Sequence, residues 1–85
     1  MALEAQELIL TQKLPLKHVR AQLGLSQPQL AKRAGVHRLT VGNAERGKPI
    51  YLETAYRILH ALNAERHHQT KPRLALHDLD WNVKE

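Results

Sequence analysis

The chain has 85 residues, of which 42% are hydrophobic, enough for one small globular domain and too apolar for a disordered segment. It has no cysteine, which excludes a disulfide framework and a thiolate metal site, and no apolar run near the roughly 18 residues of a membrane span. Its formal charge of +5 is confined: from Lys13 to Lys48, eight Lys/Arg stand against one acid, Glu45, while residues 1–12 carry −2 and residues 49–85 balance five bases with five acids. Such a localised basic patch is the electrostatic footprint of a polyanion partner.

Residues 1–13, MALEAQELILTQK, form an N-terminal segment that would suit either a short amphipathic helix or a frayed end. Glu4 and Glu7 stand where a signal peptide has bases, so a cytoplasmic location is expected. The main domain is expected over residues 14–63. Its first helix starts near Pro15, buries Leu16, Val19 and Leu23 at helical spacing, and ends at Gly24. Ser26 and Gln29 have the spacing of a capping box for a second helix, with Pro28 tolerated in its first turn and Gly35 able to close it. A third helix begins at His37 or Arg38, turns Val41 and Ala44 inward and stops at Gly47, ahead of Pro49. Two short helices joined by a tight Gly-containing turn fit a DNA-binding helix-turn-helix. A fourth helix is expected from Leu52 to Leu62, with Asn63 as its left-handed stop.

The tail, residues 64–85, opens with a polar connector and then alternates Leu74 and Leu76, then Leu79, Trp81 and Val83. Period-two alternation predicts a strand, although Ala75 to Trp81 could just sustain a fifth helix. A lone strand needs a partner, and the helices offer no obvious place for these side chains. The same strand of a second copy is therefore expected, with Leu74, Leu76, Leu79 and Trp81 as dimerisation residues. The expected architecture is an all-α bundle of four or five helices plus this strand.

The positions Val19, Arg20, Gly24, Leu25, Ser26, Gln27, Leu30, Ala31, Ala34, Gly35, Val36, Thr40, Val41, Ala44, Glu45 and Gly47 resemble the pattern of the phage repressor/Cro (XRE-type) regulators over about residues 14–63. The resemblance implies a pair between Arg20 and Glu45, tying the first helix to the end of the third. It also implies that Gln27 and Thr40 clamp the DNA backbone. The second helix of such a motif lies in the major groove with its leading residues at base edges. Those residues are His37, Arg38, Leu39, Gly42 and Asn43; Arg38 suits guanine O6 and N7, Asn43 suits adenine N6 and N7, and Leu39 suits a thymine methyl. Arg20, Lys17, Arg46 and Lys48 are expected to add phosphate contacts. Three residues depart from the family pattern: Gly42 replaces a longer side chain, and His37 and Tyr51 each replace a Ser or Thr cap.

No Ser/His/Asp order, phosphate loop or carboxylate pair stands out, and His60, His67, His68 and His77 are irregularly spaced. No enzyme activity, metal, cofactor or small-molecule ligand is expected. The expected function is a dimeric repressor bound to double-stranded DNA at a (pseudo)palindromic operator. The alternative is an antitoxin that binds a partner toxin and regulates its own operon.

Overall fold

Helix ends organise the chain. In the computed structural model, which describes residues 13–84, the elements are β1 (Leu14–Pro15), α1 (Leu16–Gln22), α2 (Gln27–Ala34), α3 (Arg38–Glu45), β2 (Pro49–Tyr51), α4 (Leu52–His68), a 3-10 turn (Leu76–Asp78), β3 (Leu79–Asp80) and β4 (Asn82–Lys84). The expected N-terminal segment, apart from Lys13, lies outside the described residues. Each of the four helices closes with a paired backbone motif in which two successive N–H groups just past the helix end fold back on the last turn. At α2 these are Gly35 N–H to Lys32 O and Val36 N–H to Ala31 O, with Gly35 left-handed at φ 71. Gly24 and Gly47 do the same for α1 and α3.

At α4 the left-handed residue is Thr70, φ 58, with Thr70 N–H bonded to His67 O and Lys71 N–H to Arg66 O. The helix thus passes the expected stop at Asn63 and runs to His68. Two contacts hold the added turns: Arg33 on α2 pairs with Glu65, and Gln69 Nε2 donates to Leu23 O at 3.0 Å. Asn63 has a different task. Its Oδ1 accepts from Leu74 N–H and its Nδ2 donates to Leu74 O, both at 2.8 Å, so its amide pairs with the tail as a strand residue would. The boundary expected between residues 63 and 64 therefore falls inside α4.

The tail contains strands, as its alternation predicts, but they pair within the chain. β3 lies parallel to β1, with Leu14 opposite Leu79, and β4 lies parallel to β2, with Ile50 opposite Val83. Lys84 Nζ sits 4.6 Å from the Tyr51 ring centre in the same ladder. The expectation that Leu74 and Leu79 have no place in the helical core is corrected: both are core residues, and Leu79 is 0% exposed beside Leu16, Leu30, Val41, Ile58 and Leu62. β1 and β2, two and three residues long, carried too little periodicity to be read from the sequence. Leu76 and Trp81 are only partly buried against this core, and the Trp81 indole N–H donates to Leu76 O at 3.0 Å. In place of a fifth helix, residues Leu76–Asp78 make one 3-10 turn, closed by Asp78 Oδ2 accepting from Ala75 N–H at 2.7 Å.

Leu79→Ala is expected to cost about 2–5 kcal/mol in urea denaturation, the cost of deleting a fully buried leucine. A result under ~1 kcal/mol would show that the tail is dispensable to the core. Thr70→Gly should instead stabilise the chain by ~1 kcal/mol, by relieving a β-branched residue of a left-handed conformation.

Candidate nucleic-acid interface

The turn between α2 and α3 is set by local chemistry first. Ser26 Oγ accepts from Gln29 N–H at 3.2 Å, and Gln29 Oε1 accepts from Ser26 N–H at 2.8 Å, so the capping box is complete. His37 caps α3: its Nδ1 accepts from Leu39 N–H at 3.1 Å, as a Ser or Thr oxygen would. With Nδ1 accepting, the proton of the neutral ring lies on Nε2. His37 is exposed, so that N–H is open to solvent.

A part-buried network then fixes α3 against α1 and α2. Arg20 Nε donates to Glu45 Oε2 at 2.5 Å, Arg20 Nη2 donates to Glu45 Oε1 at 3.2 Å, and Arg20 Nη1 donates to Leu25 O at 2.8 Å. Gln27 Nε2 completes the site by donating to Glu45 Oε1 at 2.9 Å. The Arg20 and Glu45 side chains are 12% and 5% exposed. Burial pushes the Glu45 carboxyl up. The hydrogen bonds from Arg20 and Gln27, with the charges of Arg20 and Lys17, outweigh it and hold the carboxyl below its ordinary value of 4.5.

This network redistributes the expected contacts. Arg20, expected both to pair with Glu45 and to meet a phosphate, has its guanidinium turned inward onto Glu45 and Leu25 and acts as a tie. Gln27 is half-buried with one amide hydrogen on Glu45. Gly42, expected at a base edge, is buried: a Cβ there would lie 3.3 Å from Arg46 Nη1 and 3.7 Å from Gln27 Oε1. The face of α3 left outward carries Arg38 and Leu39, with Leu39 61% exposed, and the half-buried Thr40 and Asn43. Lys17, Arg46 and Lys48 are exposed around it. Sequence reasoning missed one bond on this face: Arg46 Nη2 donates to Asn43 Oδ1 at 2.6 Å. The three-residue spacing of the two on one helix was the signal that could have revealed it.

Arg20→Ala and Glu45→Ala should each cost about 3 kcal/mol, because either leaves its partner buried and unmatched. The double variant should cost clearly less than the sum, with a coupling of about 1–3 kcal/mol. Additive losses would show that the pair contributes nothing jointly. Because folding lowers the Glu45 pKa, its contribution is complete above 4.5 and is lost as pH falls through the lowered value. Glu45→Gln should therefore flatten the acid limb of a stability-against-pH curve and leave its neutral limb parallel to that of the unaltered chain.

The helix-turn-helix family matches the chain over residues 16–66, from the first residue of α1 almost to the end of α4. No curated protein and no solved structure matches it. No helix among the described residues is long and apolar enough to cross a membrane. With the match spanning more than half of the chain, and with the turn, the outward face of α3 and the surrounding bases in place, the chain belongs to the XRE-type helix-turn-helix family of DNA-binding transcriptional regulators.

Proposed function

We propose that the chain is a dimeric repressor that acts by occupying a (pseudo)palindromic operator in double-stranded DNA. The observation that carries this reading is the outward face of α3, where exposed Arg38 and Leu39 lead the helix and the half-buried Asn43 follows one turn on. Arg38 has the fork to meet guanine O6 and N7, and Leu39 offers apolar contact to a thymine methyl. Lys17, Thr40, Lys48 and the Nε2–H of His37 meet phosphates and set the register, helped by the N-terminus of α2 at Gln27.

A second copy supplies the second half-site, about 34 Å away along the duplex. Support for the dimer surface comes from the apolar side chains that the core leaves partly open. Tyr56, Leu76, Leu79, Trp81 and Val83 line one groove of about 400 Å³ together with Lys13 and His77. Val83 pairs with Ile50 on β2, which begins four residues after α3 ends, so this surface connects directly to the recognition helix. Of the residues expected to dimerise, Leu76 and Trp81 remain at this surface, whereas Leu74 and Leu79 serve the chain's own core.

Binding to an operator duplex, followed by fluorescence anisotropy, should weaken steeply with salt, with roughly −0.9 in log K against log salt for each phosphate neutralised. A flat salt response would overturn the DNA assignment. Arg38→Ala should cost about 1–3 kcal/mol and relax preference at one position per half-site, whereas Lys48→Ala should weaken all sequences alike. If Arg38→Ala changes neither affinity nor preference, α3 does not read the groove.

A further inference from the structure

Asn43 and Arg46 form one unit on the outward face of α3, and its geometry bears on which base the helix reads. Arg46 donates from Nη2 to Asn43 Oδ1 at 2.6 Å. A guanidinium has donors only, so the oxygen of the Asn43 amide must face Arg46 and the amide orientation is not free. The Nδ2 hydrogens are then directed away from Arg46. Gly42 gives the arrangement room. A Cβ at residue 42 would lie 3.3 Å from Arg46 Nη1, and 3.7 and 3.8 Å from the Gln27 amide atoms, so the guanidinium rests over backbone that has no side chain. Gln27 is itself held by Glu45, which fixes the other wall of that slot.

We infer that Arg46 is a specificity-determining residue, and that by holding Oδ1 it makes Asn43 a reader of guanine. This inference rests on the reading of α3 as the recognition helix. Adenine is matched by an amide that accepts from N6 and donates to N7 at once. Here the accepting atom is already bonded to a cation, and an adenine N6 amino group would have to share it while facing further donors. Guanine presents two acceptors, O6 and N7, to the same edge. The Asn43 amide hydrogens and the remaining guanidinium hydrogens, all donors, complement that pair. Arg46 thereby acts on sequence choice, beyond the uniform charge that a phosphate contact would contribute, and the bare backbone of Gly42 gives it space.

The test is selection of binding sites from random duplex DNA by the full chain and by Asn43→Ala, Arg46→Ala and Arg46→Lys. Loss of preference in Asn43→Ala identifies the position that Asn43 reads. At that position the unaltered chain should select guanine. Arg46→Ala should shift the position toward adenine on the order of tenfold, the discrimination carried by one good side-chain contact. Arg46→Lys keeps the charge without the planar fork, so it should retain the salt slope while losing the guanine preference. Adenine at that position in sites chosen by the unaltered chain would overturn the inference. So would an Arg46→Ala variant that binds every sequence more weakly with preferences intact. If the unaltered chain enriches no sequence at all, the recognition-helix reading itself fails, and the inference with it.

Discussion

The carboxylate of Glu45 is the point on which the rest of the motif depends. It is the one acid in the basic half of the chain, and it sits at the last turn of α3, where it gathers Arg20 from α1 and Gln27 from α2. A carboxylate removed from water is costly unless its oxygens are matched, and three hydrogen bonds from two other helices match it. Those bonds fix the angle at which α3 leaves the domain. Arg20 contributes twice, since its third donor reaches Leu25 O at the start of the next segment. The network therefore converts three short helices, none long enough to be stable alone, into one rigid platform.

Rigidity at the back of α3 lets its front be unusual. A mid-helix glycine costs about 1 kcal/mol relative to alanine, and a histidine is not a favoured cap. Here Gly42 leaves a slot for Arg46, and the His37 ring nitrogen performs the task of a hydroxyl oxygen. Both departures lie on or beside the outward face of α3. The inner positions Val41 and Ala44 stay small and apolar and are fully buried. The same eight residues thus pack the core on one side and leave Arg38 and Leu39 exposed on the other.

The tail shows how a short domain enlarges its core. Leu74 and Leu79 fill space that α1–α4 leave between them, and two short parallel ladders hold the tail in register. Asn63 extends that pairing to a helix, using its amide where a strand would use its backbone. The tail's remaining apolar residues, Leu76, Trp81 and Val83, are partly buried against the core and gather with Tyr56 on one side.

What the sequence alone determined is whatever depends on neighbours close in the chain. The Ser26–Gln29 box, the glycine stops at 24, 35 and 47, the inward stripe of Leu30, Ala31, Val41 and Ala44, and the basic bias from Lys13 to Lys48 are all of this kind. Each is local stereochemistry or local charge, with spacing that one or two helical turns can express. The bond between Arg20 and Glu45, 25 positions apart, was anticipated only through family resemblance, since nothing local joins them. Only the tertiary structure decided that α4 passes Asn63, because the contacts that extend it come from Arg33 and Leu23. It likewise decided that the tail strands pair within the chain. An alternating pattern states that one face is buried, but it does not name the surface that buries it.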